Sequence, residues 1–141
     1  MMRIALFGLM LLVVVGCGGG PDLAAVSGRV TYDGKPLADA TVGFYPLGSH
    51  TTILSSGKTN ASGEYTLTTV KDNKAGAVVG KHRVSITVEP NLSGESDLPA
   101  DKLPKNRPPR IPAKYQGTES ELSCDVPSGG KTDANFELKS K

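Results

Sequence analysis

Two histidines, His50 and His82, and two cysteines, Cys17 and Cys124, are the side chains with the readiest chemistry at neutral pH. A zinc site needs three or four ligands at suitable spacing. Neither histidine has a CxxC, an HxxxH or a carboxylate cluster beside it, so no metal is expected. His82 is in phase with Val84 and Ile86 and reads as a packed, hydrogen-bonded residue near a strand end, whereas His50 falls in a polar, solvated loop. Asn60, Ser62 and Glu64 stand where a calcium loop wants several carboxylates, and a hairpin turn accounts for them better. No serine lies in a G-x-S-x-G elbow beside a base. Cys124 is expected to face inward, where a thiol behaves as a small apolar group with a raised pKa. Gly18-Gly19-Gly20 precede no strand–helix unit, so they form no phosphate loop. The expectation is a protein that is not an enzyme and carries no cofactor.

The elements that would position these residues are bounded by composition. The chain has 141 residues, 38% hydrophobic and 5% aromatic, with 16 basic against 14 acidic side chains. That length suits one domain with an appendage. A net charge of +2 lacks the basic excess of a nucleic-acid binder, so no nucleic acid is expected as a partner.

Much of the apolar content sits at the start. Arg3 precedes an apolar stretch from Ile4 to Val15, too short for the roughly 20 residues of a bilayer-spanning helix and suited to a signal peptide. Val14-Val15-Gly16-Cys17 resembles the lipobox of bacterial lipoproteins. The resemblance implies that residues 1–16 are removed and that Cys17 is acylated, because only a thiol forms the required thioether. Two or three acyl chains, at about 0.8 kcal/mol per buried CH₂, anchor far more firmly than one. Residues 17–25 then read as the lipidated cysteine and a flexible tether. With Cys17 modified, Cys124 has no disulfide partner. Gly18, standing where an Asp would favour inner-membrane retention in that family, leans towards the outer membrane.

From residue 26 to 141 period-2 alternation dominates and no window sustains helical spacing. Seven extended stretches follow: Val26 to Tyr32, Val42 to Pro46, Ile53 to Thr59, Glu64 to Thr69, Lys81 to Val88, Leu122 to Val126 and Ala134 to Leu138. Asp33-Gly34-Lys35-Pro36 and Asn60-Ala61-Ser62-Gly63 carry turn chemistry, with Gly34 and Gly63 free to take positive φ and Pro36 ending its ladder. The expected fold is all-β: a single seven-stranded antiparallel β-sandwich of Greek-key type. Its outlier is a long proline-rich loop at about 89–114. Between Lys102 and Lys114 it holds five basic residues and no acid: Lys102, Lys105, Arg107, Arg110 and Lys114. It reads as a solvated, proline-stiffened excursion or as a contact for anionic polymer or headgroups. Tyr45, out of phase with Phe44, and Tyr115, beside the loop, read as further partner contacts or as ordinary half-buried tyrosines.

Val26-Ser27-Gly28-Arg29-Val30, Asp33-Gly34-Lys35-Pro36-Leu37 and Ala40-Thr41-Val42 resemble the opening of carboxypeptidase regulatory-like domains. Thr59-Asn60-Ala61-Ser62-Gly63-Glu64-Tyr65 is similar to their T-[DN]-x-x-G-x-[FY] hairpin. Gly80 and the strand after it resemble their P-G-x-Y-x-V-x-V element, with Val79 and His82 in place of the usual Pro and aromatic. The ending, Ile111 to Tyr115 followed by Leu122 and Phe136-Glu137-Leu138, is similar to small lipoproteins of the kind found in planctomycetes. The resemblance implies a transthyretin-like, carbohydrate-binding-like sandwich. Hydroxyisourate hydrolase shares that fold but ends in Tyr-Arg-Gly-Ser, which is missing from Phe136 to Lys141 here.

The expected function is therefore a membrane-anchored, non-catalytic lipoprotein of the bacterial cell envelope. It would face the periplasm or lie at the outer membrane, held in the bilayer through Cys17. Its partners would be envelope proteins or polysaccharides. The alternatives are a structural subunit of an envelope assembly or an enzyme of unrecognised type.

Overall fold

Apolar residues at alternate positions bury one face of a strand and leave the other in water. The computed structural model, which describes residues 20–48, 51–89, 99–102 and 109–141, carries this alternation through short strands. In chain order these are β1 (Leu23–Ala24), β2 (Ser27–Tyr32), β3 (Lys35–Pro36), β4 (Ala40–Pro46), β5 (Ser55–Lys58) and β6 (Glu64–Thr66). Then come β7 (Thr68–Thr69), β8 (Ala77–Val78), β9 (Gly80–Val88), β10 (Leu122–Val126) and β11 (Phe136–Leu138). Among the described residues the helical elements are three 3-10 turns, Ala100–Lys102, Ala113–Tyr115 and Gly117–Glu119. The chain is all-β.

The larger sheet runs β10-β9-β4-β5-β7, and the smaller runs β11-β2-β3 with β6 also paired to β2. Strand β4 meets β9 from Ala40 opposite Val88 to Pro46 opposite His82, which sets Val42 beside Ile86 and Phe44 beside Val84 on the inner face. Val30, Tyr65, Phe136 and Leu138 come from the smaller sheet and join Val42, Phe44, Val84 and Ile86 in one core. The Phe44 and Phe136 rings meet edge to face, 6.3 Å apart, across the two sheets. Each such fully buried side chain contributes roughly 1.5–3 kcal/mol.

Local chemistry explains the turns. Asp33 and Gly34 take φ of 48° and 83° between Tyr32 and Lys35, the two positive angles of a type I′ hairpin. In the second turn, the Asn60 side chain accepts from the backbone N–H groups of Ser62 and Glu64 at 2.9 and 3.0 Å. Gly63 closes that turn at φ 76°, and a Cβ there would run into the Val30 carbonyl. Thr59 fixes the next link, its hydroxyl accepting from the Ala40 N–H at 2.9 Å.

The expected sheet needs three corrections. It is not wholly antiparallel, because β11 lies parallel to β2, Phe136 beside Val30 and Leu138 beside Tyr32. A parallel pair needs a long crossover, and nearly the whole domain intervenes here. The stretch from Glu64 to Thr69 is not one strand. It passes from β6 in the smaller sheet to β7 in the larger one, with fully buried Leu67 at the crossing. Asp22 to Ala24 do not belong to a flexible tether, since β1 pairs with β8, Ala24 is buried and the Val79 N–H bonds to the Asp22 carbonyl at 2.9 Å; residues 17–19 of the expected tether lie outside the described residues.

Two glycines of similar backbone angle separate conformation from space. Gly34→Asn keeps the type I′ geometry and has open space around it, so it should change stability by under about 0.5 kcal/mol. Gly63→Ala meets both a left-handed backbone and the Val30 carbonyl, and should cost at least about 2 kcal/mol. Urea unfolding of the two variants checks the difference.

Candidate functional site

The outward residues of β2, β6 and β11 form the wall of a groove of about 860 Å³. Arg29 and Glu64 face each other across the β2–β6 pair and form an ion pair at 3.0 Å. Both side chains are about half exposed, so the pair contributes little to stability, roughly 0.2–1 kcal/mol. Asn135 accepts the Arg29 backbone N–H through its side-chain carbonyl at 2.9 Å. Thr31 and Glu137, side by side in the β2–β11 register, continue the wall, and Lys58, Asn60, Thr66 and Thr132 complete the rim. Tyr65 and Phe136 line the groove from beneath but are buried, so among the described residues no exposed ring stands on its surface. Its chemistry is donors, acceptors and one ion pair, held by cross-strand pairing.

Beneath the groove the backbone approaches closely. Tyr65 donates its hydroxyl to the Ala134 carbonyl at 2.6 Å. A side chain on Gly28 would strike that same carbonyl, so only glycine lets residues 132–135 lie against β2. Burial, with Cys124 nearby, raises the Tyr65 pKa and keeps the phenol a donor.

The residues with the readiest chemistry lie elsewhere. His82 is 1% exposed, with Nδ1 3.0 Å from the Gly80 carbonyl oxygen and its ring 5.5 Å from that of Phe44. Its Nε2 has no hydrogen-bond partner among the described residues. Burial lowers its pKa against opposing contributions from the Gly80 carbonyl and Asp125, so the imidazole is neutral and closed off from substrate. His50 lies outside the described residues. Cys124 is half buried against the core, and burial pushes its thiol pKa up more than Lys131 pulls it down. Among the described residues no group of three His, Cys, Asp or Glu side chains is placed to hold a metal ion.

The contacts expected from sequence divide between two ends of the body. Arg110 is exposed and its carbonyl accepts the Tyr32 hydroxyl at 3.3 Å; Lys114 is half buried with its ammonium 5.0 Å from the Tyr115 ring centre. Of the two readings of Tyr115, a partner contact or an ordinary half-buried tyrosine, its burial favours the second. It is 7% exposed, and its hydroxyl accepts the Lys139 N–H at 3.3 Å. Ile111 is buried as well, so the proline-rich loop is not a solvated excursion at its C-terminal end. Lys102 is exposed, while Cys17, Lys105 and Arg107 lie outside the described residues. Tyr45 is half buried on the outer face of the larger sheet, its ring over Gly43, at the opposite end of β9 from the loop.

Sequence reasoning missed the groove. Its only signal was that Arg29, Thr31, Glu64, Thr66 and Glu137 are the polar partners in three alternating stretches; nothing local showed those stretches to be neighbours. No protein-family model, curated protein or solved structure matches the chain. No helix among the described residues is long and apolar enough to cross a membrane.

Acid should expose the cost of burying His82. Its folded pKa lies below the ordinary 6.5, so below that pH the unfolded chain takes up a proton that the folded one refuses. This contribution is intact above pH 6.5 and is lost as pH falls from there through the folded pKa. The urea midpoint should fall between pH 7 and 5, and His82→Gln should flatten that dependence.

Proposed function

We propose that the chain is a membrane-anchored, non-catalytic lipoprotein of the bacterial cell envelope. In this reading Cys17 carries the acyl chains and the body is a transthyretin-like Greek-key β-sandwich related to carboxypeptidase regulatory-like domains. It binds an envelope polysaccharide in the groove of β2, β6 and β11.

The observation that carries the reading is the groove's lining. Amides at Asn60 and Asn135, hydroxyls at Thr31, Thr66 and Thr132, and the Arg29–Glu64 pair alternate donors and acceptors over a few strand spacings. A saccharide presents hydroxyls that both donate and accept, and such a surface matches them without an aromatic platform. Among the described residues the groove is lined by neither histidine nor cysteine, and the described histidine is buried, so binding without turnover fits it best.

A second reading, a structural subunit of an envelope assembly, rests on β10. Among the described residues this strand ends the larger sheet and is hydrogen-bonded in it to β9 alone, which leaves one edge for another chain. Sedimentation of the detergent-solubilised protein over a hundredfold concentration range separates the two readings, since an assembly subunit grows in mass and a monomeric binder does not.

Radiolabelled palmitate should mark the wild-type protein, and Cys17→Ala should abolish both the label and membrane retention. On immobilised envelope polysaccharide, Arg29→Ala with Asn135→Ala should weaken retention about tenfold, the loss of one or two charge-assisted hydrogen bonds. Lys102→Ala, away from the groove, should leave it unchanged. A wild-type protein that passes the column unretained removes the polysaccharide reading.

A further inference from the structure

Large hydrophobic side chains are exposed at three described positions, Leu47, Leu54 and Val70. Single exposed apolar residues are ordinary, but a contiguous set asks for an occupant. Val70 lies beside Leu54, its N–H bonded to the Leu54 carbonyl at 2.9 Å. Leu54 precedes Ser55, the partner of Phe44, so by register it falls next to Tyr45, and Leu47 follows two residues on. Phe44, Ser55 and Thr69 point inward and are buried, which places Tyr45, Leu47, Leu54 and Val70 together on the outer face of the larger sheet.

This corner is also where the chain enters the body. The Asp22 carbonyl holds the Val79 N–H, and two residues further along the Lys81 carbonyl holds the Leu47 N–H at 2.8 Å. The segment upstream is the apolar stretch of Ile4 to Val15 and then Cys17. From Cys17 to Asp22 the chain reaches at most about 18 Å when fully extended. Lys114 sits instead beyond the Leu122–Val84 pair, its carbonyl holding the Glu121 N–H at 2.8 Å, and Arg110 lies beside Tyr32 of the smaller sheet.

We infer that the corner of Leu47, Leu54 and Val70 rests in the surface of the phospholipid bilayer that holds the anchor. This rests on the proposed acylation of Cys17. The attraction is apolar rather than electrostatic, because Lys71, Lys74 and Lys81 around the corner are offset by Asp22, Asp72 and Asp125. With the anchor within reach, the effective concentration of the surface is high, and three partly inserted side chains suffice to set an orientation. The polar groove and the basic residues Arg110 and Lys114 then stand away from the lipid.

The test uses the full-length protein, lipidated in a bacterial host and reconstituted in phosphatidylethanolamine–phosphatidylglycerol vesicles. In a Cys124→Ser background, V70C and S140C are each labelled with a fluorophore and read against nitroxide placed just below the lipid headgroup. Flotation with the vesicles reports the anchor, and quenching reports the corner. Quenching at position 70 at least threefold greater than at 140, unchanged on dilution of protein in lipid and lost in L47S/L54S, supports the orientation. Flotation with equal quenching at both positions overturns it while leaving the anchor intact. Quenching or spectral shift that appears only at high protein-to-lipid ratio assigns the corner to a second copy and overturns it too. Protein that fails to float overturns the acylation reading and this inference with it.

Discussion

Strand β2 is the constraint on which the rest of the molecule depends. It is paired to β11 on one side and to β3 and β6 on the other. The three partners come from widely separated parts of the chain; the Arg29–Asn135 contact spans 106 residues. Those pairings fix which side chains of β2 face inward, and a slip by one residue would trade Val30 for Arg29 in the core. Gly28 is part of the same constraint, since its missing side chain lets the Ala134 carbonyl approach and accept the Tyr65 hydroxyl. The smaller sheet, the floor of the groove and the packing of Phe136 on Phe44 all follow from that approach.

Much of the strand content was legible because alternation reports burial directly. Val42 with Phe44, Val84 with Ile86, and Phe136 with Leu138 were expected inward and are buried. The Asp33-Gly34 turn was legible for the same local reason, as few residues accept two positive φ angles. His82 was read correctly as packed by its phase with Val84.

What the sequence hid was non-local. Alternation does not say which strand lies beside which, so the parallel pairing of β11 with β2 left no trace. The passage of Glu64 to Thr69 between sheets kept an unbroken period, because Tyr65, Leu67 and Thr69 are all buried although they serve different sheets. Short pairs such as β1 with β8 have too few residues for any period to show. Tyr115 stayed open between partner contact and packed tyrosine because prolines and charges surround it in sequence, and only the folding back of the chain places it in the core cluster. The groove was invisible for the first of these reasons: its wall is assembled from three stretches that meet only in the finished fold.

The parallel pairing of β11 with β2 also has a temporal side. During synthesis the first long strand emerges about a hundred residues before its partner does. Until Phe136 has left the ribosome, Phe44 lacks its edge-to-face neighbour and one side of β2 lacks a ladder. Folding that waits for β11 leaves the nascent polypeptide open until those residues have been made. It also makes any prematurely terminated product a ready substrate for proteases.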